Sequence, residues 1–344
     1  MNTEKNTFNV LYPFDDNYAP YAAISMTSLF ENNRDLDGIN VFVLGFGLSD
    51  ENIRKLSETG QKYGRHMEFI PEERISSFID KLDMPSYRGA SVAAARLFIS
   101  DYLPDDIRRI IYLDSDTLVV GDISRLFDSD MTGCPVAMTA DSVARKYKTF
   151  VGFGDEEIYH NAGVILYDLD EWRRRRCTER IIEHITNVRR NYEALDQDLI
   201  NVVLKGEIHT LSPAYNLQPF HAVYDPKTYL RVTGSFGYYT AEQIEEAAKN
   251  PVILHCFRYL GMFPWHKGSL HPWKEQFEKY KKLSAFSDLP EMNDAMNGLM
   301  FTVERLLYRI CPSGLFLKLF FFVYNVNMKR NDSKRLENRS IKNI

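Results

Sequence analysis

Short, almost wholly apolar segments alternate with amphipathic ones through the first 115 residues of the chain. The apolar segments predict strands at "FNVLY", ending at Pro13, and at "INVFVLGF", "HMEFI" and "RRIIYLD". The segments between them predict helices at "NYAPYAAISMTSLFENN", "SDENIRKLSETGQKYG" and "SVAAARLFISDYL". Apolar strands joined by helices are typical of a sheet that is covered on both faces. We therefore predict an α/β fold with a mostly parallel, Rossmann-like sheet.

The second half of the chain continues this pattern. Strands are predicted at "CPVAMTA", "NAGVILYDL", "GEIHTL" and "NPVILHC", and a helix at "CTERIIEHITNVRR". We predict a catalytic domain over residues 1–284, a C-terminal helical region over 285–330 and a flexible basic tail over 331–344. Hydrophobic residues make up 44% of the chain and charged residues 26%, as in globular proteins, and a net charge of −5 argues against nucleic-acid binding.

The cysteines and the N-terminus bear on the compartment. The four cysteines are far apart and form no C-x-x-C pair, which favours free thiols over disulfides or a zinc site. The first residues are polar and carry no apolar signal-peptide segment. Both features predict a cytoplasmic location.

Two carboxylates interrupt the apolar run "IIYLDSDTLVVGD" at residues 110–122. Asp114 and Asp116 follow the strand "RRIIYLD", and ligands bind at the carboxyl ends of such strands. Two acids flanking a small residue suit Mn²⁺ or Mg²⁺. Two alternatives remain open: a pair of solvated acids in a turn, and a haloacid-dehalogenase-like phosphatase with Asp114 as its nucleophile. The phosphatase pattern has a threonine two residues after the second aspartate, whereas Thr117 follows it directly.

Seven segments in order resemble the family 8 retaining glycosyltransferases, in particular the bacterial lipopolysaccharide galactosyl- and glucosyltransferases. They are "PFDDNYAPYAAISMTSLFENN", "SVAAARLFISDYLP", "YLDSDTLVVGDISRLFD", "HNAGVILYDLDEW", "DQDLINVVLKGEI", "YNLQ" and "VILHCFRYLGMFPW". The resemblance implies a GT-A fold, a UDP-hexose donor and Mn²⁺, or Mg²⁺ in its place. The expected activity is transfer of glucose or galactose to a saccharide or lipid-linked saccharide in cell-surface glycan synthesis.

The resemblance also implies roles for individual residues. The metal ligands would be Asp114, Asp116 and His255. The nucleotide-sugar contacts would be Asp15, Asn17, Tyr18, Asp114, Ser115, Asn161, Gly163 and Gly261. The residues at the sugar and its reacting face would be Arg96, Asp141, Asp196 and Gln197. We expect a front-face reaction, because the amide of Gln197 is a poor nucleophile.

Most of these positions also have ordinary structural explanations. Taken alone, His255 is better explained by a hydrogen-bonded histidine at a strand end, and the alternative for Asp15 with Asn17 is an Asx turn. Arg96 is explained by an ion pair with a carboxylate such as Asp114. For the acids of "DQD", the alternative is that Asp196 or Asp198 is simply a helix cap. A third possibility for the whole chain is a nucleotide-sugar binder without turnover.

One position departs from the family pattern. Family members have G-x-K-P-W near the end of the domain, with a lysine that contacts the diphosphate. The present chain has Gly261-Met262-Phe263-Pro264-Trp265, with phenylalanine in the lysine position. Arg258 and Lys267 are the candidate replacements.

The C-terminal region combines apolar and basic residues. "LMFTVERLLYRI" predicts a helix with one apolar face, and "LFLKLFFFVYNV" is shorter than the ~20 residues that span a bilayer. From Met300 onward, nine Lys and Arg outnumber three Asp and Glu. This composition favours an anchor on an anionic membrane surface. The alternative is that the helices pack on the catalytic domain.

Overall fold

The computed structural model describes residues 7–75, 92, 94–143, 147–188, 192–235, 237–293 and 298–341, with side chains as far as residue 327. The strands are β1 (Thr7–Asp15), β2 (Gly38–Phe46), β3 (His66–Ile70), β4 (Arg109–Leu113), β5 (Thr117–Val119), β6 (Val136–Ala140), β7 (His160–Asp168), β8 (Ile208–Thr210) and β9 (Ile253–His255). The helices are α1 (Ala19–Asn32), α2 (Asp50–Lys62), α3 (Ile99–Tyr102), α4 (Ser124–Phe127), α5 (Tyr147–Phe150), α6 (Leu169–Arg174), α7 (Cys177–Asn187), α8 (Leu195–Val203), α9 (Pro219–Val223), α10 (Pro226–Thr233), α11 (Ala241–Lys249), α12 (Lys274–Leu283), α13 (Leu299–Ile310) and α14 (Ser313–Ile341).

Seven of the strands form one central sheet in the order β3-β2-β1-β4-β7-β6-β8. Its neighbours are parallel except where β7 lies antiparallel to β4 and β6. Two apolar clusters cover its opposite faces, one including α1 and the other including α7 and α8. The prediction of a mostly parallel α/β sheet with helices on both faces is confirmed.

The first strand continues beyond Pro13, where the sequence predicted its end. β4 pairs with β1 only at Val10 and Leu11. Beyond Leu11, β1 makes no hydrogen bonds to β4 on that side. Pro13, which has no backbone N–H, is therefore tolerated within the strand. The longer strand carries Asp15 to the same end of the sheet as Asp114.

The helix predicted at "SVAAARLFISDYL" is not continuous. Its described part contains a 3₁₀ turn at Ala95–Leu97 and the short helix α3, while Ser91 and Ala93 lie outside the described residues. In a continuous helix, two of its carbonyl oxygens would accept backbone N–H groups. Here they accept side-chain hydroxyl groups instead: Tyr167 donates to Arg96 O at 2.9 Å, and Thr178 donates to Leu97 O at 3.3 Å. Tertiary contacts thus replace the helical ladder here.

The C-terminal helices pack along one side of the preceding part of the chain. Phe316 and Leu317 of α14 are buried in a cluster with Phe220 of α9 and Tyr259. Arg305 Nε of α13 donates to the carbonyl oxygen of Leu260 at 3.2 Å. Among the described residues, none of the helices combines the length and the apolar character needed to cross a membrane.

Candidate active site

A small two-stranded sheet brings the two aspartates to His255. β5 begins one residue after Asp116 and pairs antiparallel with β9, so that Thr117 lies opposite His255. The Cys256 N–H also donates to the carbonyl oxygen of Asp116 at 2.7 Å. As a result, ligand atoms of Asp114, Asp116 and His255 lie within 4.8 Å of one another. Two carboxylate oxygens and one imidazole nitrogen form a donor set that suits Mn²⁺.

A chain of buried amides fixes which nitrogen of His255 faces the aspartates. His255 Nδ1 lies 3.0 Å from Asn216 Oδ1, and Asn216 Nδ2 donates to Asn161 Oδ1 at 2.9 Å. Asn161 Nδ2 in turn donates to Asp141 Oδ2 at 3.0 Å. Because each amide nitrogen is used as a donor, Asn216 Oδ1 must accept, and His255 carries its proton on Nδ1 in the neutral form. The Nε2 lone pair then faces Asp116 Oδ1 at 3.4 Å, as a metal ligand requires.

Without a metal, the pKa values of Asp114 and His255 are raised above their ordinary values. Burial raises the pKa of the Asp114 carboxyl, since the nearby Arg96 guanidinium offsets only part of that cost. Burial by itself lowers the pKa of His255, but the carboxylates of Asp116 and Asp114 outweigh it and leave that pKa raised. A divalent cation would relieve the repulsion between these carboxylates.

Gly163 is required by the position of His255. A Cβ atom added at Gly163 would lie 2.0 Å from His255 Cε1, far inside van der Waals contact. The Gly163 carbonyl also accepts the Asp114 N–H at 2.9 Å. Any larger residue at 163 would therefore displace the imidazole from the two aspartates.

Arg96 links the predicted metal ligands to the predicted reacting face. Its Nη2 donates to Asp114 Oδ1 at 2.8 Å, and its Nε lies 2.9 Å from Asp196 Oδ2. Its Nη1 donates to the carbonyl oxygen of Ala162 at 2.8 Å, and its guanidinium lies over the Tyr112 ring at 4.6 Å. The single guanidinium therefore bridges the two carboxylates, reduces their mutual repulsion and holds their spacing.

Gln197 and Asp141 meet at the end of this cluster. Gln197 Oε1 accepts the Ala162 N–H at 2.9 Å, and its Nε2 lies 3.3 Å from Asp141 Oδ2 and 3.2 Å from the Tyr159 hydroxyl oxygen. Both ends of the amide are therefore bound by the protein. Asp141 is 7% exposed, and its Oδ1 accepts the Val143 N–H at 2.9 Å.

Asp198 lies behind this face as a buried carboxyl. It accepts hydrogen bonds from the hydroxyl of Tyr147, from the hydroxyl of Tyr159 at 2.6 Å and from the Ala194 N–H at 3.1 Å. Burial raises its pKa to about 6. Asp198, in the first turn of α8, thus orients the tyrosine that Gln197 contacts.

The residues predicted to hold the nucleotide follow β1. Asp15 Oδ1 accepts the Tyr18 N–H at 3.1 Å, three residues on rather than the two of an Asx turn, and Asn17 is exposed beside it. Tyr18 is 39% exposed, so it is available for stacking. Burial of its hydroxyl and then the Asp116 carboxylate raise the pKa of Tyr18, whereas Arg258 lowers it. Tyr18 is therefore within electrostatic reach of both Asp116 and Arg258.

Ser115 and Gly261 have different surroundings. Ser115 lies buried between the two aspartates. Gly261 has a φ of +76°, and an added Cβ would lie 2.6 Å from Phe301 Cδ1 of α13. The glycine at 261 is thus required by the turn and by the packing of the C-terminal helix.

Phe263, in the position of the family lysine, supports an arginine. Its ring stacks on Trp265 at 4.4 Å with a 9° angle, and Trp265 stacks on Tyr21 at 4.1 Å. The Arg258 guanidinium lies over the other face of Phe263 at 4.6 Å and donates to the carbonyl oxygen of Gly261 at 3.1 Å. A cation is therefore present directly above the substituted position.

Asn216 and Gln218 belong to the site, although the sequence assigned them no role. Both belong to the segment "YNLQ", and both are fully buried. Asn216 fixes His255, as described above. Gln218 Oε1 accepts the Ser142 N–H at 2.7 Å and its Nε2 donates to Ala140 O at 3.0 Å, so it fixes the backbone on both sides of Asp141. Two amides in a buried segment were the signal that could have revealed them.

Comparison with known proteins agrees with this geometry. The sequence model "Glycosyl transferase family 8" matches residues 9–269. General stress protein A of Bacillus subtilis is 28% identical over 287 residues, which are 82% of this chain and 95% of that protein. Lipopolysaccharide 1,2-glucosyltransferase of Escherichia coli K12 is 30% identical over 305 residues, which are 86% of this chain and 82% of that protein.

A solved structure agrees with the fold. The crystal structure of the galactosyltransferase LgtC in complex with donor and acceptor sugar analogs superposes with a TM-score of 0.65 at 23% identity, over 80% of this chain and 96% of that one. The fold is therefore the GT-A fold of glycosyltransferases. The chain belongs to glycosyltransferase family 8, which favours transferase chemistry over the phosphatase alternative.

Proposed function

We propose that this protein transfers glucose or galactose from UDP-hexose, with retention of anomeric configuration, to a saccharide or lipid-linked saccharide of the cell surface. The observation that carries this proposal is the convergence of Asp114, Asp116 and His255 at the carboxyl end of a family 8 sheet. The lipopolysaccharide glucosyltransferases among its relatives support the acceptor class. Four free cysteines support action in a reducing compartment such as the cytoplasm.

The proposal includes a divalent metal, Mn²⁺ or Mg²⁺, held by Asp114, Asp116 and His255. The fit rests on the donor set and on the amide chain that leaves His255 Nε2 with its lone pair towards Asp116. When bound, such an ion stabilises the negative charge that develops on the leaving diphosphate.

The residues at the reacting face favour a front-face route. Gln197 Oε1 is already bound to the Ala162 N–H, and Asp196 is paired with Arg96, so neither is a free nucleophile. In the proposed reaction the bond from the anomeric carbon to the diphosphate breaks. A bond to the acceptor oxygen forms on the same face, and the acceptor proton passes to the departing phosphate. Asp141, Asp196 and Gln197 orient the sugar and stabilise its positive charge.

Arg258 is the proposed replacement for the family lysine. It lies on Phe263 and acts electrostatically on Tyr18, on which Asp116 also acts, and it has no carboxylate partner in the part of the chain that the structure describes. A charged hydrogen bond to a diphosphate contributes about 1.5–3 kcal/mol. Arg258→Gln should therefore lower kcat/KM for the UDP-sugar by about ten- to a hundredfold.

The matched control is Lys267→Gln, which removes the exposed alternative cation four residues beyond Phe263. We expect initial rates with Lys267→Gln to stay close to wild type. If Lys267→Gln reduces kcat/KM and Arg258→Gln does not, Lys267 holds the diphosphate and the assignment to Arg258 is wrong.

The donor can be identified by screening UDP-sugars for hydrolysis. We expect UDP release from UDP-glucose or UDP-galactose only when Mn²⁺ or Mg²⁺ is present, and its loss on chelation with EDTA. UDP binding with no turnover of any UDP-sugar would favour the non-catalytic binder instead. Hydrolysis that EDTA leaves unchanged would contradict the metal requirement.

We also propose that the C-terminal helices contact an anionic membrane surface. Leu306 and Ile310 of α13 are 55% and 66% exposed, and Arg305 and Arg309 lie beside them. Burying a leucine side chain in an apolar environment contributes about 1.5–3 kcal/mol of favourable free energy. Leu306→Glu should therefore weaken binding to vesicles with 30% anionic phospholipid by at least about tenfold in sedimentation assays.

Val188→Glu is the control for this substitution, because Val188 is exposed at the end of α7 in the catalytic domain. It should leave vesicle binding unchanged. Equal binding by wild type and Leu306→Glu would refute a membrane contact through this face of α13.

A further inference from the structure

The C-terminal helices enclose a cavity against the catalytic domain. Its volume is about 630 Å³, which is within the usual range for ligand pockets. α13 and α14 form two walls, and Phe220, Leu260 and Gly261 form the floor. Most of its lining side chains are aliphatic or aromatic, with polar groups from Arg258, Glu304 and Asn327. The lining therefore suits a hydrocarbon group with a polar end.

The two helices present apolar side chains to this cavity at helical spacing. Met300, Val303 and Leu307 of α13 face Leu319 and Val323 of α14 across it. Val303 is 43% exposed and Val323 is 46% exposed, although packing could have buried them. Large apolar side chains left open to solvent around a groove mark binding sites.

One end of the cavity adjoins the sugar-binding residues. Arg258 lines the cavity, and its charge also acts on Tyr18 beside Asp116. Ala140, the residue before Asp141, packs in one apolar cluster with Phe220 and Phe316, which also line the cavity. The cavity therefore lies next to the segment that carries the predicted sugar contact, and after burial the Asp141 carboxylate contributes to the raised pKa of Tyr324 in the cavity wall.

The apolar face of α13 continues beyond the cavity. Leu306 and Ile310 do not line the cavity but belong to the same face of the helix, where they are 55% and 66% exposed. The mouth of the cavity is therefore flanked by the surface that we propose to contact a membrane. A hydrocarbon chain could enter from that side without crossing water.

We propose that this cavity binds the hydrocarbon portion of a lipid-linked acceptor, while the acceptor's sugar lies beside the donor sugar that Asp141 and Gln197 contact. The assignment rests on the proposed transferase function and specifies its acceptor as an amphiphile. The C-terminal hairpin is then part of the substrate site. It forms the walls that hold the acceptor next to the donor sugar.

The test uses the full chain and alkyl maltosides of eight, ten and twelve carbons, each below its critical micelle concentration, with maltose as the sugar without a chain. Binding is measured by isothermal titration calorimetry. Burial of each added methylene predicts an affinity gain of at most about fourfold. We expect wild-type affinity to rise with chain length and maltose to bind much more weakly.

Two variants of α13 form a matched pair. Val303→Trp fills the cavity, and Leu306→Trp adds the same ring three residues further on, outside it. Val303→Trp should abolish the dependence on chain length, while Leu306→Trp keeps it. Val323→Trp, from the opposite wall, repeats the test in case one variant unfolds, which thermal unfolding would reveal.

The outcomes separate the cavity from the chemistry. Equal chain-length dependence in Val303→Trp and Leu306→Trp, or none in wild type, would overturn the cavity assignment. Turnover of UDP-hexose is measured in the same proteins without any acceptor. Its absence from wild type would overturn the proposed transferase function, whereas its retention with no chain-length dependence would overturn only the acceptor site.

Discussion

Asp116→Asn is expected to lower metal-dependent turnover of UDP-hexose by about a thousandfold. The substitution removes one negative charge from the metal site while keeping the size of the side chain. Loss of the ion removes several kcal/mol of charge stabilisation, and each 1.36 kcal/mol corresponds to a factor of ten in rate. Asp116 lies 3.4 Å from His255 Nε2, so its carboxylate joins the two halves of the site.

The measurements are initial rates of UDP release and, separately, Mn²⁺ binding followed by electron paramagnetic resonance. Asp106→Asn is the matched control, because Asp106 is exposed just before β4, the strand that leads to Asp114. It should behave as wild type in both assays. Unchanged Mn²⁺ affinity in Asp116→Asn would exclude Asp116 as a ligand.

Asn216→Leu is expected to weaken Mn²⁺ binding by about ten- to a hundredfold. Asn216 touches no predicted ligand atom of the metal directly. Its Oδ1 accepts a hydrogen bond from His255 Nδ1–H, which keeps the proton on Nδ1 and leaves Nε2 free to bind the metal. Loss of such an orienting partner typically reduces metal affinity by that factor. The substitution also leaves Asn161 without one of its donors.

Asn216→Asp separates orientation from general damage to the core. An aspartate keeps an oxygen that can accept from His255 Nδ1 but loses the donor to Asn161. Mn²⁺ affinity should therefore fall in the order wild type, Asn216→Asp, Asn216→Leu. ¹⁵N chemical shifts of the His255 ring report the tautomer, and an unchanged tautomer in Asn216→Leu would show that Asn216 does not set it.

The sequence was informative wherever local pattern decides structure. Apolar runs identified the strands of the central sheet, and the D-x-D pair at the end of β4 identified a candidate metal site. It was wrong where tertiary contacts prevail. Pro13 lies inside β1, because β4 has already diverged, and the segment around Arg96 forms a 3₁₀ turn, because tyrosine and threonine hydroxyls take its carbonyl groups.

The sequence could not explain the residues that support the site from a distance. Gly163 resembled a contact beneath the donor sugar, yet its missing Cβ makes room for His255. Phe263 appeared only as the loss of a lysine, yet its ring supports Arg258. Both explanations depend on contacts between segments that are far apart in the chain.

The sequence by itself determined the sheet, the position of Asp114 and Asp116 at its edge and the family to which the chain is similar, because apolar periodicity and ordered motifs are local properties. The resemblance predicted that His255 joins those aspartates, but only the tertiary structure shows how, through the pairing of β5 with β9, more than 130 residues apart. Only the tertiary structure decided the amide chain through Asn216 and the cavity under the C-terminal helices. The amide chain and the cavity both arise from side-chain packing between segments that are far apart in the sequence, and no local sequence pattern encodes such packing.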